Sequence, residues 1–208
     1  MYIPAHNQLP DREAALRLIR DFPLGTIVSS AENGRPFVSY LPFVIADETP
    51  LTLLGHFARA NPQWKELEGA EVLVAFHGAH GYISPRFYAD RTRNVPTWNY
   101  STVHCTGTVR LAAGDQTRPI LRRLVEHVES GAPDSWSIDE LDDEYFDRLQ
   151  KAIVAFSIGV TDVTAKFKLS QNKSDGEPQH LIRALRATGR ESDRLLADDM
   201  ARANPLSS

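Results

Sequence analysis

The stretch Asn94–Leu111, NVPTWNYSTVHCTGTVRL, is the one on which the fold turns. In its second half Val103, Cys105, Gly107, Val109 and Leu111 fall on one face, and Thr102, His104, Thr106, Thr108 and Arg110 on the other. A period of two with one apolar face predicts a half-buried β-strand. The first half sets Trp98, Asn99 and Tyr100 at the mouth of that strand. Aromatic rings with a polar handle suit a site that is apolar on one side and wet on the other. Ordinary packing at a barrel corner accounts for the same two rings equally well.

Working outward, further strands flank this one. Leu24–Ser30 reads as a strand, and Asn33-Gly34 after it is the strongest hairpin signal in the chain. Arg35–Ala46 reads as the returning strand, with Phe37, Ser39, Leu41, Phe43 and Ile45 on one face. Its two prolines, Pro36 and Pro42, predict an edge or a bulge. Leu51–Phe57 is a third strand, and the apolar run Glu71–Phe76 a strand buried on both faces. Gly81–Ser84 begins another, and His77 and His80 fall in a glycine-rich turn before it. Ala152–Val160 is again apolar and leads into TAKFKLSQN, Thr164–Asn172. Helices are predicted over Asp11–Phe22, Asp115–Ser130 and Asp143–Gln150, with a short one at Pro62–Leu67. The tail from about Pro178 reads as amphipathic helices broken near Gly189. Six or seven strands with few long helices between them predict a small barrel decorated by helices.

The 208-residue chain is long enough for one sizeable core, with 42% hydrophobic and 24% charged residues, as in soluble globular proteins. No run reaches the apolar length of a membrane helix, and no secretory signal is visible at the start. One cysteine, Cys105, excludes an internal disulfide and suits a reducing cytoplasm. The net charge of −4 weighs against an extended nucleic-acid footprint.

The chemistry-bearing candidate is GHFARANPQWKEL, Gly55–Leu67. A strand end passes through Arg59 to a helix start at Asn61-Pro62, where free backbone N–H groups and a guanidinium together suit a phosphate. A capped surface helix with a solvated arginine is the plainer reading. Lys166 and Lys168 share a strand face and, with Lys173, offer either an anion site or a solvated edge. The seven histidines form no metal signature. Neither GxSxG nor GxGxxG occurs. Cys105 sits on the apolar face of its strand and reads as a packed small residue.

Several of these stretches together resemble one family. MYIP at Met1–Pro4, GHFARANPQW at Gly55–Trp64, YISPRFY at Tyr82–Tyr88, VPTWNY at Val95–Tyr100 and KLSQN at Lys168–Asn172 resemble the PaiB family. These are the FMN-binding negative transcriptional regulators of the PAI 2 type. The match runs in order from Met1 to about Asn172. The chain departs from the family pattern at Lys173, where arginine is usual, and in Arg86–Asn94, with Phe87 where tryptophan is common.

The resemblance implies a split β-barrel similar to pyridoxamine 5'-phosphate oxidase, mainly β with α decoration, over residues 1–172. Residues 173–208 then form a helical extension. It implies a homodimer with FMN at the interface. Arg59 becomes the leading phosphate ligand with Asn61 as helper, and His56 and Phe57 lie near the flavin. Trp98 and Tyr100 neighbour the ring or its ribityl chain, and Lys166 and Lys168 are further candidates.

Two functions then compete. One is a regulator that contacts DNA or a partner, for which Lys166, Lys168, Lys173, Arg183, Arg186 and Arg190 are the basic residues available. No helix-turn-helix with a basic recognition helix is visible, and Asp175, Glu177 and Glu191 interrupt the cluster. The other is a flavin-dependent oxidoreductase, in which the cofactor carries the redox chemistry.

Overall fold

Period-two stretches of the chain become seven strands in the computed structural model, which describes residues 1–7, 11–30, 34–173 and 176–205. The strands are β1 (Leu24–Ser30), β2 (Pro36–Pro42), β3 (Val44–Glu48), β4 (Leu51–Ala58), β5 (Glu71–Ile83), β6 (Thr97–Leu111) and β7 (Ile153–Lys168). They form one sheet in the order β2-β1-β5-β6-β7-β4-β3. Helices α1 (Arg12–Asp21), α2 (Thr117–Glu129), α3 (Asp143–Gln150), α4 (Glu177–Ala187) and α5 (Glu191–Ala203) decorate it.

Three departures from the sequence reading have physical causes. Arg35–Ala46 is not one strand. Pro42 has no N–H to continue the ladder, and Phe43 N instead donates to Pro23 O at 2.9 Å. The chain leaves β2 at one end of the sheet and enters β3 at the other, where Val44 pairs with Leu54. The prolines do lie on an edge strand, as their positions predicted. Asn33 of the expected turn lies outside the described residues.

The second departure is β5, which runs unbroken through His77-Gly78-Ala79-His80 where a turn was expected. Gly78 does not bend the chain; it lets a neighbour approach. A Cβ there would overlap the Ser101 hydroxyl and crowd Leu18. The third is β7, sixteen continuous residues where two segments were expected. At the start of α2, the predicted Asp115 beginning is a 3₁₀ turn, Gly114–Gln116, and the α-helix proper begins at Thr117.

The chain divides into two compact units. The larger holds Ile19–Phe76 and His104–Val163. Its core centres on phenylalanines: Phe43 meets Phe76 edge-on at 5.6 Å and Phe156 at 6.0 Å, and Phe57 lies 4.9 Å from Phe156. Edge-to-face rings add to simple area burial. β4 pairs antiparallel with β7, which sets His56 opposite Ala155 and Gly55 opposite Phe156. Across α2, Leu124 packs with Val44 and Leu54. The other unit holds Met1–Leu18, His77–Val103 and Thr164–Ser208. There α4 and α5 bury Leu181, Leu185, Leu196 and Met200 completely. Helices α4 and α5 thus share a compact unit with the motifs YISPRFY, Tyr82–Tyr88, and VPTWNY, Val95–Tyr100. Among the described residues no helix is long and apolar enough to cross a membrane.

Candidate functional site

The predicted site residues gather in two places. His56, Phe57, Arg59 and Asn61 lie at the end of β4 and the turn after it, in the unit of Ile19–Phe76. Trp98, Tyr100, Lys166 and Lys168 lie on β6 and β7, in the unit of His77–Val103.

The turn is built by its own residues. Asn61 caps it, its side chain accepting from Gln63 N at 3.0 Å and donating to Ser39 Oγ at 2.8 Å. Pro62 takes the first position. The element is a five-residue 3₁₀ turn, Pro62–Glu66, rather than an α-helix. The expected helix dipole and cluster of free N–H groups are therefore absent, because one short turn aligns few peptides and Asn61 already satisfies Gln63 N.

What the turn does offer is Arg59. Its Nε donates to Lys151 O at 2.6 Å and its Nη2 to Ile153 O at 2.8 Å. Trp64 lies against the guanidinium, 5.7 Å from its ring centre, and donates its own N–H back to Arg59 O. Two carbonyls thus orient a guanidinium without neutralising it, and the remaining N–H donors of its fork stay available. Among the described residues no carboxylate pairs with Arg59.

In the same stretch of chain, two buried polar atoms lack partners: His56 Nδ1 and Gln63 Oε1. Buried polar groups are ordinarily satisfied, so each orphan calls for an explanation. Burial lowers the His56 pKa below its ordinary value, which favours the neutral ring. Gln63 is almost fully buried, and its Nε2 donates to Ser29 Oγ and Phe37 O. The sequence reading missed Gln63; its place right after Asn61-Pro62 was the only signal. Phe57 differs from expectation in role. Its ring is fully buried in the phenylalanine core, so only its backbone is left for a ligand.

A cationic oriented guanidinium, an unpartnered imidazole Nδ1 and an unpartnered amide oxygen suit the chemistry of a phosphorylated polyol. The guanidinium suits phosphate, and the amide oxygen suits a hydroxyl donor. FMN presents both groups, so the residues at the turn fit it.

In the other unit, Trp98 is 48% exposed and stacks on His80 at 6.0 Å. Lys166 Nζ lies 5.4 Å from the Tyr100 ring centre, and Lys168 Nζ donates to Thr97 Oγ1 and Trp98 O. Lys173 donates to Asn94 Oδ1 and lies over Tyr88. Behind them Asn99 donates to Ser170 Oγ at 2.9 Å, which ties VPTWNY to KLSQN. His77 and His80 sit on β5, three residues apart, so they point to opposite faces of the strand and cannot chelate one ion together. Cys105 is fully buried, and burial with nearby Asp162 pushes its thiol pKa up to about 12.

Residues 1–162 match a family described as "Putative FMN-binding domain". The chain is similar to the protease synthase and sporulation protein PAI 2 of Bacillus subtilis strain 168, at 34% identity over 187 residues and 89% of each chain. Among solved structures it is similar to the flavocytochrome Anf3 from Azotobacter vinelandii, with a TM-score of 0.62 at 18% identity. That likeness covers 86% of this chain and 78% of the other. The FAD and heme binding protein from Mycobacterium smegmatis gives a TM-score of 0.60 at 19% identity, over 83% of this chain and 78% of the other. These structural likenesses carry the fold: a split β-barrel with helical decoration.

Proposed function

The chain belongs to the PaiB family of FMN-binding proteins, and from that premise we propose that it is an FMN-binding regulator whose cofactor phosphate is held at the Arg59 turn. One observation carries the placement. Arg59 is fixed by two backbone carbonyls yet left without a carboxylate, inside the segment that matches the family. A preoriented guanidinium loses little entropy on meeting a phosphate. Asn61 holds the turn in shape, and His56 and Gln63 supply unsatisfied polar atoms for the remainder of the group. When bound, FMN would supply redox chemistry or a light-absorbing reporter state; the protein's part is to bind and orient it.

A second reading, a flavin-dependent oxidoreductase, is favoured by the pairing of the tail arginines. Arg186 meets Asp198 at 2.8 Å, Arg190 meets Asp193 at 2.9 Å, and Arg194 reaches both Glu191 and Asp198. Each pair would have to open before it could neutralise a DNA phosphate. The lone, buried cysteine suits a reducing compartment for either reading.

The test is a titration of the purified protein with FMN, followed by flavin fluorescence. Wild type binds and quenches the flavin. Arg59→Ala weakens binding by the roughly 1.5–3 kcal/mol of a charge-assisted hydrogen bond, about tenfold or more. Equal binding by both proteins would remove Arg59 from the site. The FMN-loaded protein is then titrated with genomic duplex fragments at two salt concentrations. Tight binding to one fragment at physiological salt supports the regulator. Absence of such binding, with reduction of the bound flavin by NADH or NADPH, supports the oxidoreductase.

A further inference from the structure

Helix α3 is held at both ends by arginines, and all the residues concerned lie in the unit of Ile19–Phe76 and His104–Val163. At its start, Arg118 of α2 donates through Nη1 to Asp143 Oδ1, and its guanidinium lies 4.6 Å from the centre of the Phe146 ring. Arg118 Nε also reaches to 3.8 Å from Asp139 Oδ1, and Asp139 is fixed in turn by a two-pronged bond from Arg122. Phe146 is the one buried side chain of α3; Tyr145 and Leu149 face water. A helix of eight residues does not stand alone in water, so its seat depends on what it packs against. Here that is the Phe146 ring and the guanidinium laid over it, a contact that strengthens when the ring is desolvated. The support behind Arg118 is firm, because α2 packs on the sheet through Leu124 against Val44 and Leu54.

At the other end of α3, three successive carbonyls accept from one residue. Arg59 N donates to Ala152 O at 2.8 Å, Arg59 Nε to Lys151 O at 2.6 Å and Arg59 Nη2 to Ile153 O at 2.8 Å. Different elements place these acceptors. Ile153 opens β7 and pairs with Ala58, so the sheet sets its carbonyl. Lys151 is the C-cap of α3, so the helix sets that one. With Nη2 bonded alone, the guanidinium can swing about a single contact. The second bond, at Nε, fixes the plane of the fork and leaves Nη1 turned to other partners. A cation at this end of a helix also meets the negative end of its dipole.

We propose, on the reading that Arg59 takes the FMN phosphate, that Arg118 is a positioning residue for it: by seating α3 on α2, Arg118 sets the Lys151 carbonyl that aims the Arg59 guanidinium. Arg118 touches no ligand. It acts through Phe146 and Asp143 on the helix, and through the helix on one carbonyl. Loss of Arg118 therefore leaves the phosphate ligand present but less ordered, and the ordering must then occur on binding.

The experiment is a double-mutant cycle on the full-length protein, with FMN affinity read by flavin fluorescence for wild type, Arg118→Gln, Arg59→Ala and the double variant. Far-UV circular dichroism verifies that each is folded. Arg118→Gln weakens FMN binding about two- to tenfold, as expected when one long side chain has to be immobilised by the ligand. In the Arg59→Ala background the same substitution causes no further loss, because the residue it orients is gone. Arg118→Lys keeps a cation beside Asp143 without the planar fork and loses less; it carries the same cycle should Arg118→Gln fail to fold. Wild-type affinity in folded Arg118→Gln overturns the proposal. So does an equal fold-loss in both backgrounds, which would make Arg118 a purely structural residue. Wild-type affinity in Arg59→Ala is a separate result: it removes the phosphate from Arg59, and this role of Arg118 with it.

Discussion

Burial withdraws His56 from water and lowers its pKa below the ordinary 6.5, while its Nδ1 finds no partner. The unfolded chain takes up a proton near 6.5; the folded chain resists until a lower pH. Between those two values the unfolded state binds more protons, so stability rises with pH. His56 thus makes no demand above 6.5 and destabilises the fold progressively as pH falls through 6.5 towards the folded-state value, below which the loss is complete. Denaturant midpoints measured between about pH 5 and 8 should show this slope. His56→Gln should flatten it, and an unchanged slope would place its origin elsewhere. Cys105 gives the opposite case, a thiol that burial keeps protonated and unreactive across the neutral range.

Among the elements, β6 and β7 show how closely two strands pack in this barrel. A Cβ on Gly107 would overlap the Gly159 carbonyl oxygen and press Val160 Cα and Ile158 at 2.9 Å. Two of those three neighbours are backbone, which cannot swing aside. Gly107→Ala should therefore cost about 1–3 kcal/mol or more by overpacking, read as a lower denaturant midpoint at unchanged m-value. A neutral result would mean the two strands separate easily. The KLSQN segment ends β7 as a hydrogen-bonded knot. Gln171 accepts from Leu169 N and donates to Phe167 O, and Asn204 donates to Leu169 O. Ser170 sits at φ 68, a left-handed conformation that a non-glycine residue holds only where its surroundings enforce it. Here the surroundings are Asn99, which bonds Ser170 Oγ, and Gln171 and Asn204, which bond the preceding Leu169 N–H and carbonyl.

For the whole molecule the exposed edge of the sheet bears on assembly. β2 is an edge strand, and its outward residues Val38 and Tyr40 are exposed, as is Leu24 across the hairpin from Pro42. Pro36 and Pro42 guard the strand against indiscriminate pairing. An apolar sheet face of this kind supports a two-fold dimer, the commonest closed assembly. Light scattering at micromolar concentration should give about twice the 23.2 kDa of one chain. A mass of one chain would exclude the dimer and any site that needs a second copy.

Local periodicity determined where the strands and longer helices lie, though not the short helix expected at Pro62–Leu67, which is a 3₁₀ turn, nor the turn expected at His77–His80, which is strand. Alternation in Thr97–Leu111, the apolar run from Glu71 and the proline of the Asn61 turn are all short-range signals, and short-range sterics and burial read them directly. The phrases that resemble the family were legible too, and the match of residues 1–162 to the FMN-binding family bears out that assignment. Where strands end was not legible, because glycine signals both turns and close packing; only the position of Ser101 shows which applies at Gly78. Nor was the state of Arg59, whose partners Lys151 and Ile153 lie 92 and 94 residues away. The same holds for Asn99 and Ser170, 71 residues apart, and for Lys168, which donates to Thr97 and to the Trp98 carbonyl. A side chain's type sets what it can bind, but which of its groups remain free depends on neighbours that arrive only when distant segments pack together.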